Sequence, residues 1–263
     1  MTTNIPGDAS PCRVCAADTR HVFTLPIFNR EVGYFECPNC GYLQTQTPDW
    51  LDQAYAHAIN DIDTGIMSRN TLNVGRVIMT LASLGKLRGR VVDRAGGYGI
   101  LVRMLRDAGV DAFWSDKYCQ NLVARGFEDN GDPSDLLTAF EVFEHLVDPT
   151  AELRTMLDSA PTVLLSTELI TGPETPRPDW WYLAPEHGQH IGFFRAATLE
   201  AMAKKIGCHH ASDGQSVHLF SRAPIPRSWP LAMRQHRRWP LVARLALKPR
   251  TDRDFEFMRQ KPR

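Results

Sequence analysis

Nine consecutive residues constrain this chain's architecture more than any others: Val91-Val92-Asp93-Arg94-Ala95-Gly96-Gly97-Tyr98-Gly99. A short apolar run closes on an acid and enters a glycine-rich turn. Leu101, Met104, Leu105 and Ala108 then follow at helical spacing, and Gly109 supplies a stop. The pattern predicts a strand over Arg90 to Arg94, a tight turn and a helix, with Asp111 to Ser115 as the next strand. In a doubly wound sheet, ligands bind beyond the carboxyl ends of the strands. There the turn lets backbone approach a ligand, and the helix start offers free N–H groups and partial positive charge. Asp116 follows Asp93 by 23 residues, at the place where an acid accepts hydrogen bonds from ribose hydroxyls.

The β–α alternation continues down the chain. Leu136 to Phe143 and Thr162 to Ile170 read as strands, separated by a helix from about Thr150 to Ser159. Leu199, Met202, Ala203 and Ile206 mark a later helix, and Val217 to Ser221 a last strand. Upstream, Trp50 to Ile59 and Thr71 to Leu87 read as helices. These units imply an α/β fold with a doubly wound, mostly parallel sheet and helices on both faces.

Six cysteines are present, four of them in two Cys-x-x-Cys pairs, Cys12/Cys15 and Cys37/Cys40. The spacing suits tetrahedral Zn2+ held by four thiolates, a closed and therefore structural site. Short strands, His21 to Leu25 and Val32 to Glu36, lie between the pairs. So little apolar material needs a metal for stability. Cys119 and Cys208 stand alone and read as buried small hydrophobes.

No stretch nears the roughly 18 apolar residues of a membrane helix. The polar first ten residues do not resemble a secretory signal, so a cytoplasmic address is expected. The formal net charge is zero. It is unevenly spread, with twelve Lys/Arg against three Asp/Glu from Arg222 to Arg263. That end could meet phosphates or anionic surfaces, or be a solvated face. The expected division is a zinc module over 1–48, a cofactor-binding domain over 49–223 and a basic extension over 224–263.

A dinucleotide site would want a third glycine, but Ile100, Leu101 and Val102 follow Gly99. The Asp93 start with Ala95, Gly96, Gly97 and Gly99 instead resembles the first motif of Rossmann-like, class I S-adenosylmethionine-dependent methyltransferases. Ala95 stands where that family has its first glycine. The run Ala139 to Pro149, with Glu144-His145-Leu146-Val147-Asp148-Pro149, resembles the family's fourth-strand segment. The resemblance implies cofactor contacts at Asp93, Ala95, Gly96, Gly97, Gly99, Asp116, Phe140 and Glu141. With the zinc module, the chain is similar to deoxysugar C-methyltransferases and shorter relatives in polysaccharide gene neighbourhoods. In Pro185-Glu186-His187-Gly188-Gln189-His190-Ile191-Gly192-Phe193-Phe194, His190 takes the group's catalytic position. His187 and His145 are further candidates, each equally readable as a hydrogen-bonding residue. Trp180, Trp181 and Tyr182 suggest a flat wall for a sugar.

The expected function is methyl transfer to a small molecule, a sugar or sugar nucleotide. Two alternatives remain at this point. One is a catalytically silent cofactor-binding or scaffold protein. The other is a nucleic-acid methyltransferase, which the acid-rich cysteine segment (Asp8, Asp18, Glu31, Glu36 against Arg13, Arg20, Arg30) disfavours.

Overall fold

The computed structural model describes residues 10–55 and 64–261. In chain order come β1 (Arg20–Ile27), β2 (Arg30–Glu36), β3 (Leu43–Thr45), α1 (Leu51–Ala54) and α2 (Ile66–Ser83). Then follow β4 (Arg90–Arg94), α3 (Ile100–Asp107), β5 (Asp111–Ser115), β6 (Leu136–Phe140), α4 (Pro149–Ser159) and β7 (Thr162–Ser166). Last come β8 (Gly192–Phe193), α5 (Ala196–Ile206), β9 (His209–Ser212), β10 (Val217–Ser221), α6 (Trp229–Arg234), α7 (Trp239–Ala246) and α8 (Thr251–Gln260). The larger sheet has the order β5-β4-β6-β7-β10-β9, and β4 runs parallel to both β5 and β6. This is the α/β, Rossmann-like sheet that the alternation implies.

The chain divides into two compact units. The first comprises Met1–Asn60, Phe140–Thr155 and Leu165–His218; the second comprises Asp61–Ala139, Met156–Leu164 and Leu219–Arg263.

In the first unit, β1, β2, β3 and β8 form a four-stranded sheet, antiparallel throughout. The cysteine segment is thus paired, through β3, to residues more than 140 positions away: Leu43 opposes Phe193. Ile27, Tyr34, Leu43, Trp50, Tyr182, Ile191 and Phe193 bury one shared apolar core. Trp50 donates its indole N–H to the Gly188 carbonyl at 2.8 Å, which ties α1 to the histidine-bearing loop. The expected helix beyond Tyr55 falls outside the described residues.

In the second unit, α2 turns Val74, Val77, Ile78 and Leu81 inward. At Gly75 an added Cβ would sit 2.5 Å from the His236 carbonyl, so only glycine permits this approach. Trp229 is fully buried and donates to Thr80 Oγ1 at 3.1 Å. Asp254 on α8 accepts two hydrogen bonds from the Arg106 guanidinium, both 2.7 Å, and one from Arg103 at 2.8 Å. The basic end is therefore helical, with α8 anchored by these bonds.

Two strands are shorter than the apolar runs suggest. The first stops at Phe140 because Glu141 turns left-handed, at φ 54°, and Phe143–His145 coil into a 3-10 turn. The second stops at Ser166 rather than Ile170. The helix expected from Thr71 begins at Ile66 and ends at Ser83. Cys119 and Cys208 are half-buried, not core residues.

Candidate functional site

The glycine turn in the second unit is held by backbone. Gly97 donates its N–H to Asp116 Oδ2 at 2.9 Å, and Tyr118 and Cys119 donate to Oδ1 at 2.7 and 2.9 Å. Three of the carboxylate's roughly four lone-pair directions are thereby engaged, which fixes Asp116 and leaves about one for a ligand. Trp114 donates its indole N–H to the Gly97 carbonyl at 2.8 Å. At Gly96 a Cβ would meet Trp114 Cδ1 at 2.7 Å, and at Gly99 it would meet Asn121 Oδ1 at 2.7 Å. Gly97 and Gly99 are left-handed, with φ 53° and 86°. Ala95 is left-handed as well, at φ 56°. An L-residue pays roughly 1–2 kcal/mol for that conformation, so the missing glycine is tolerated at the cost of local strain. The first turn of α3 carries no side-chain cap, leaving its N–H groups open.

Asp93 lies beneath this turn, 5% exposed, and accepts a hydrogen bond from the Thr138 hydroxyl. Burial raises its pKa to about 7; the Thr138 hydrogen bond works against the rise, and the Asp116 charge adds to it.

The first unit holds a different arrangement. Glu144 is fully buried, and neither carboxylate oxygen has a hydrogen-bond partner among the described residues. Burial, then the Glu141 charge, pushes its pKa up to about 8, although Tyr182 and Thr167 lie near enough to oppose the rise. His145 Nε2 stands 4.0 Å from Glu144 Oε1, and its Nδ1 is buried without a partner among the described residues. The rings of His145, His187 and Tyr182 surround that of His190 at centroid distances of 4.9, 4.9 and 4.8 Å. Ile191 donates its N–H to the Glu144 carbonyl at 2.8 Å, fixing the two segments side by side.

Hydrogen-bond partners assign the tautomers. His190 Nδ1 lies 2.7 Å from the Tyr182 carbonyl oxygen. A carbonyl only accepts, so Nδ1 carries the proton and Nε2 keeps its lone pair. His187 is the reverse: its Nδ1 accepts the Gln189 N–H at 3.1 Å, so the neutral ring is protonated at Nε2. Burial brings the His190 pKa down to about 4; the Tyr182 carbonyl opposes the fall and His187 reinforces it. His145 is held well below the ordinary range by burial and then by the two other histidines. At neutral pH the cluster consists of neutral imidazoles beside a carboxyl that is mostly protonated. Glu144, His145 and His190 also bring three ligating atoms within 4.8 Å of one another.

The four cysteines converge in the same unit. Their Sγ atoms all lie within 4.8 Å, with Cys12–Cys40 at 3.6 Å and Cys15–Cys37 at 3.5 Å. Four thiolates about 2.3 Å from a tetrahedral zinc would stand about 3.8 Å apart, so the donor set and spacing fit that ion. Each pair closes a similar knuckle. Ala16 N–H donates to the Cys12 carbonyl at 2.8 Å and Gly41 N–H to the Cys37 carbonyl at 2.9 Å. Both of these residues are left-handed, at φ 62° and 73°.

Residues 68–212, more than half of the chain, match the family described as Methyltransferase domain. The chain belongs to this methyltransferase family. The enzyme's class is S-adenosylmethionine-dependent methyl transfer. Among solved structures it is similar to the Burkholderia thailandensis 1,6-didemethyltoxoflavin-N1-methyltransferase, which carries its bound acceptor and S-adenosylhomocysteine. The TM-score is 0.52 at 13% identity, over 77% of this chain and 100% of that one. Magnesium protoporphyrin IX methyltransferase from Synechocystis PCC 6803 gives a TM-score of 0.44 at 16% identity, over 66% of this chain and 94% of that one. The mitomycin 7-O-methyltransferase MmcR gives a TM-score of 0.44 at 16% identity, over 67% of this chain and 61% of that one. No curated protein sequence matches the chain.

In this methyltransferase the second unit gathers Asp93, Ala95, Gly96, Gly97, Gly99 and Asp116. Phe140 and Glu141 fall in the first unit, as do His145, His187 and His190. Glu141 is exposed; its N–H is accepted by Ser166 Oγ at 2.9 Å, and the Ser166 hydroxyl returns a bond to Oε1. The expected aromatic wall does not form as a unit. Tyr182 is 2% exposed, Trp180 packs against Tyr182 and Phe193, and Trp181 alone is open, at 71%. Sequence reasoning missed Thr138, although a lone polar residue in Leu136-Leu137-Thr138-Ala139-Phe140 was a usable signal. It also missed the Tyr182 carbonyl, which no side-chain pattern reveals.

Proposed function

We propose that the enzyme methylates a hydroxyl or carbon of a small-molecule acceptor, a sugar or sugar nucleotide, with His190 as the proton acceptor. The observation that carries this reading is the tautomer of His190, whose Nε2 lone pair is left unprotonated in a buried cluster. S-adenosylmethionine, when bound, supplies the electrophilic methyl carbon. His190 Nε2 takes the acceptor's proton as the acceptor's electron pair forms the new bond to that methyl, and the S–CH3 electron pair returns to sulfur. The transferred proton then leaves to solvent. Glu144 balances the imidazolium: once its own proton has passed to solvent, as it does when pH rises through about 8, its carboxylate stabilises the charge that develops nearby. His187, protonated at Nε2, orients rather than accepts. Asp116 and the glycine turn hold the ribose and methionine ends of the cofactor, with Phe140 and Glu141 contributing at the strand end.

Support for a sugar comes from the resemblance to deoxysugar C-methyltransferases and from the open face of Trp181. The small-molecule class agrees with the acceptors named for the toxoflavin and mitomycin enzymes. We further assign Cys12, Cys15, Cys37 and Cys40 a structural zinc, and divide the chain at 1–48, 49–223 and 224–263. A cytoplasmic setting suits four thiols held as ligands.

The test is methyl transfer from isotopically labelled S-adenosylmethionine to a panel of nucleotide sugars, read by mass spectrometry. A labelled sugar product is expected. Labelling confined to nitrogen heterocycles or phenols would remove the sugar reading while leaving the methyltransferase intact. For the metal, elemental analysis should find about one zinc per chain, lost on replacing Cys37 and Cys40 with serine; an unchanged count would contradict the ligand set.

A further inference from the structure

The basic end of the chain is not absorbed by methyl transfer. From 214 to 251 there is no Asp or Glu, yet there are eight Lys and Arg. Two of these are paired, Arg222 with Asp158 and Arg250 with Asp111. The other six, Arg227, Arg234, Arg237, Arg238, Arg244 and Lys248, are exposed and make no ion pair with a described residue. The segment that carries them, which includes α6 and α7, also presents leucines to solvent. Leu231 on α6 is 57% exposed, and on α7 Leu241 and Leu245 are 61% and 79% exposed. Leu241 and Leu245 lie one turn apart and share a face, flanked by Arg238 and Arg244. The inner sides of both helices are fixed, with Trp229, Met233 and Ala243 buried. The outward leucines are therefore a presented surface.

We propose that α6 and α7 dock this methyltransferase on an anionic lipid surface, the leucines entering the acyl boundary and the six cations meeting headgroup phosphates. A single exposed leucine needs no partner. Three of them among unpaired cations on acid-free helices match an interfacial anchor, in which apolar burial and electrostatic attraction add. A nucleic acid would satisfy the cations but leave the leucines in water. A second copy placed face to face would set six unpaired cations against six. No helix among the described residues is long and apolar enough to cross a membrane, so the contact is peripheral.

The experiment is co-sedimentation of the full-length protein with vesicles of phosphatidylcholine alone or mixed equally with phosphatidylglycerol. Binding is expected only to the mixed vesicles, weakening as salt rises. Arg237→Gln with Arg238→Gln should lower partitioning about fivefold per charge removed at low salt. Leu241→Glu with Leu245→Glu should lower it about tenfold or more. Unchanged affinity for S-adenosylhomocysteine in each variant shows that the fold is intact. No binding to mixed vesicles overturns the proposal. Binding that the leucine variant leaves untouched also overturns it, pointing to a phosphate-rich polymer, while loss of a dimer without vesicle binding would point to a second copy.

Discussion

The glycine turn and the histidine cluster are built on opposite principles. Around the turn, nearly every polar group has a partner: Asp116 takes three backbone N–H groups, Thr138 covers Asp93, and Trp114 covers the Gly97 carbonyl. Its strain is confined to Ala95. In the cluster, by contrast, the Glu144 carboxylate oxygens and His145 Nδ1 are buried with no hydrogen-bond partner among the described residues. A buried carboxyl without a partner costs stability, typically about 1–3 kcal/mol. Stability alone would not retain such a group, whereas a site awaiting a ligand or a proton would. On the proposed reading, the turn is preorganised for binding, while the cluster is completed by an acceptor and its proton.

The largest expected effect falls on the cluster. His190→Ala should reduce turnover by about 10²–10⁴-fold, the range for a positioned base. Its affinity for S-adenosylhomocysteine, measured by calorimetry, should not change. His187→Ala should cost less, because its Nδ1 is already committed to Gln189. Equal losses from the two would erase the tautomer argument. If Glu144 must ionise to balance His190, kcat should rise as pH climbs through about 8, and Glu144→Gln should lower that rise and flatten the profile.

A smaller set of effects belongs to the turn. Asp93 has its folded pKa raised from 3.8 to about 7. A raised pKa means that its stabilising contribution is complete below about 4 and is lost as pH rises through 7, by roughly 4 kcal/mol. Denaturant unfolding without ligand should show wild type weakening across that window and Asp93→Asn staying level. Two parallel curves would mean that Asp93 is better solvated than its burial indicates. Ala95→Gly should do least. It relieves about 1–2 kcal/mol of left-handed strain but adds roughly 0.4–1 kcal/mol of unfolded-state entropy, leaving a net gain between about 0 and 1.6 kcal/mol. A destabilised variant would show that the strain account of Ala95 is wrong.

The two regions also differed in how far the sequence revealed them. The turn is contiguous, and its strands, Arg90–Arg94 and Asp111–Ser115, lie where apolar pattern and acid placement put them. The cluster is assembled from Glu144, His145, Tyr182 and His190, whose proximity depends on a long-range bond from Ile191 to Glu144. The residue types were visible; their tautomers were not, because these depend on backbone carbonyls and amides. The pairing of β3 with β8 escaped for a similar reason, since two residues of strand carry no periodic signal. β9, His209-His210-Ala211-Ser212, has no apolar alternation at all. The left-handed Glu141 ended β6 early because φ choice at an acidic residue is not written in hydrophobicity.

The most direct test of this division of labour is calorimetric titration of S-adenosylhomocysteine into wild type, Asp116→Asn and His190→Ala, with turnover measured on the same samples. Asp116→Asn should bind about 10–100-fold more weakly, corresponding to about 1–3 kcal/mol for a lost charged hydrogen bond. His190→Ala should bind as wild type does and turn over hardly at all. If His190→Ala loses cofactor affinity while Asp116→Asn keeps it, the roles assigned to the two regions are reversed and the account fails.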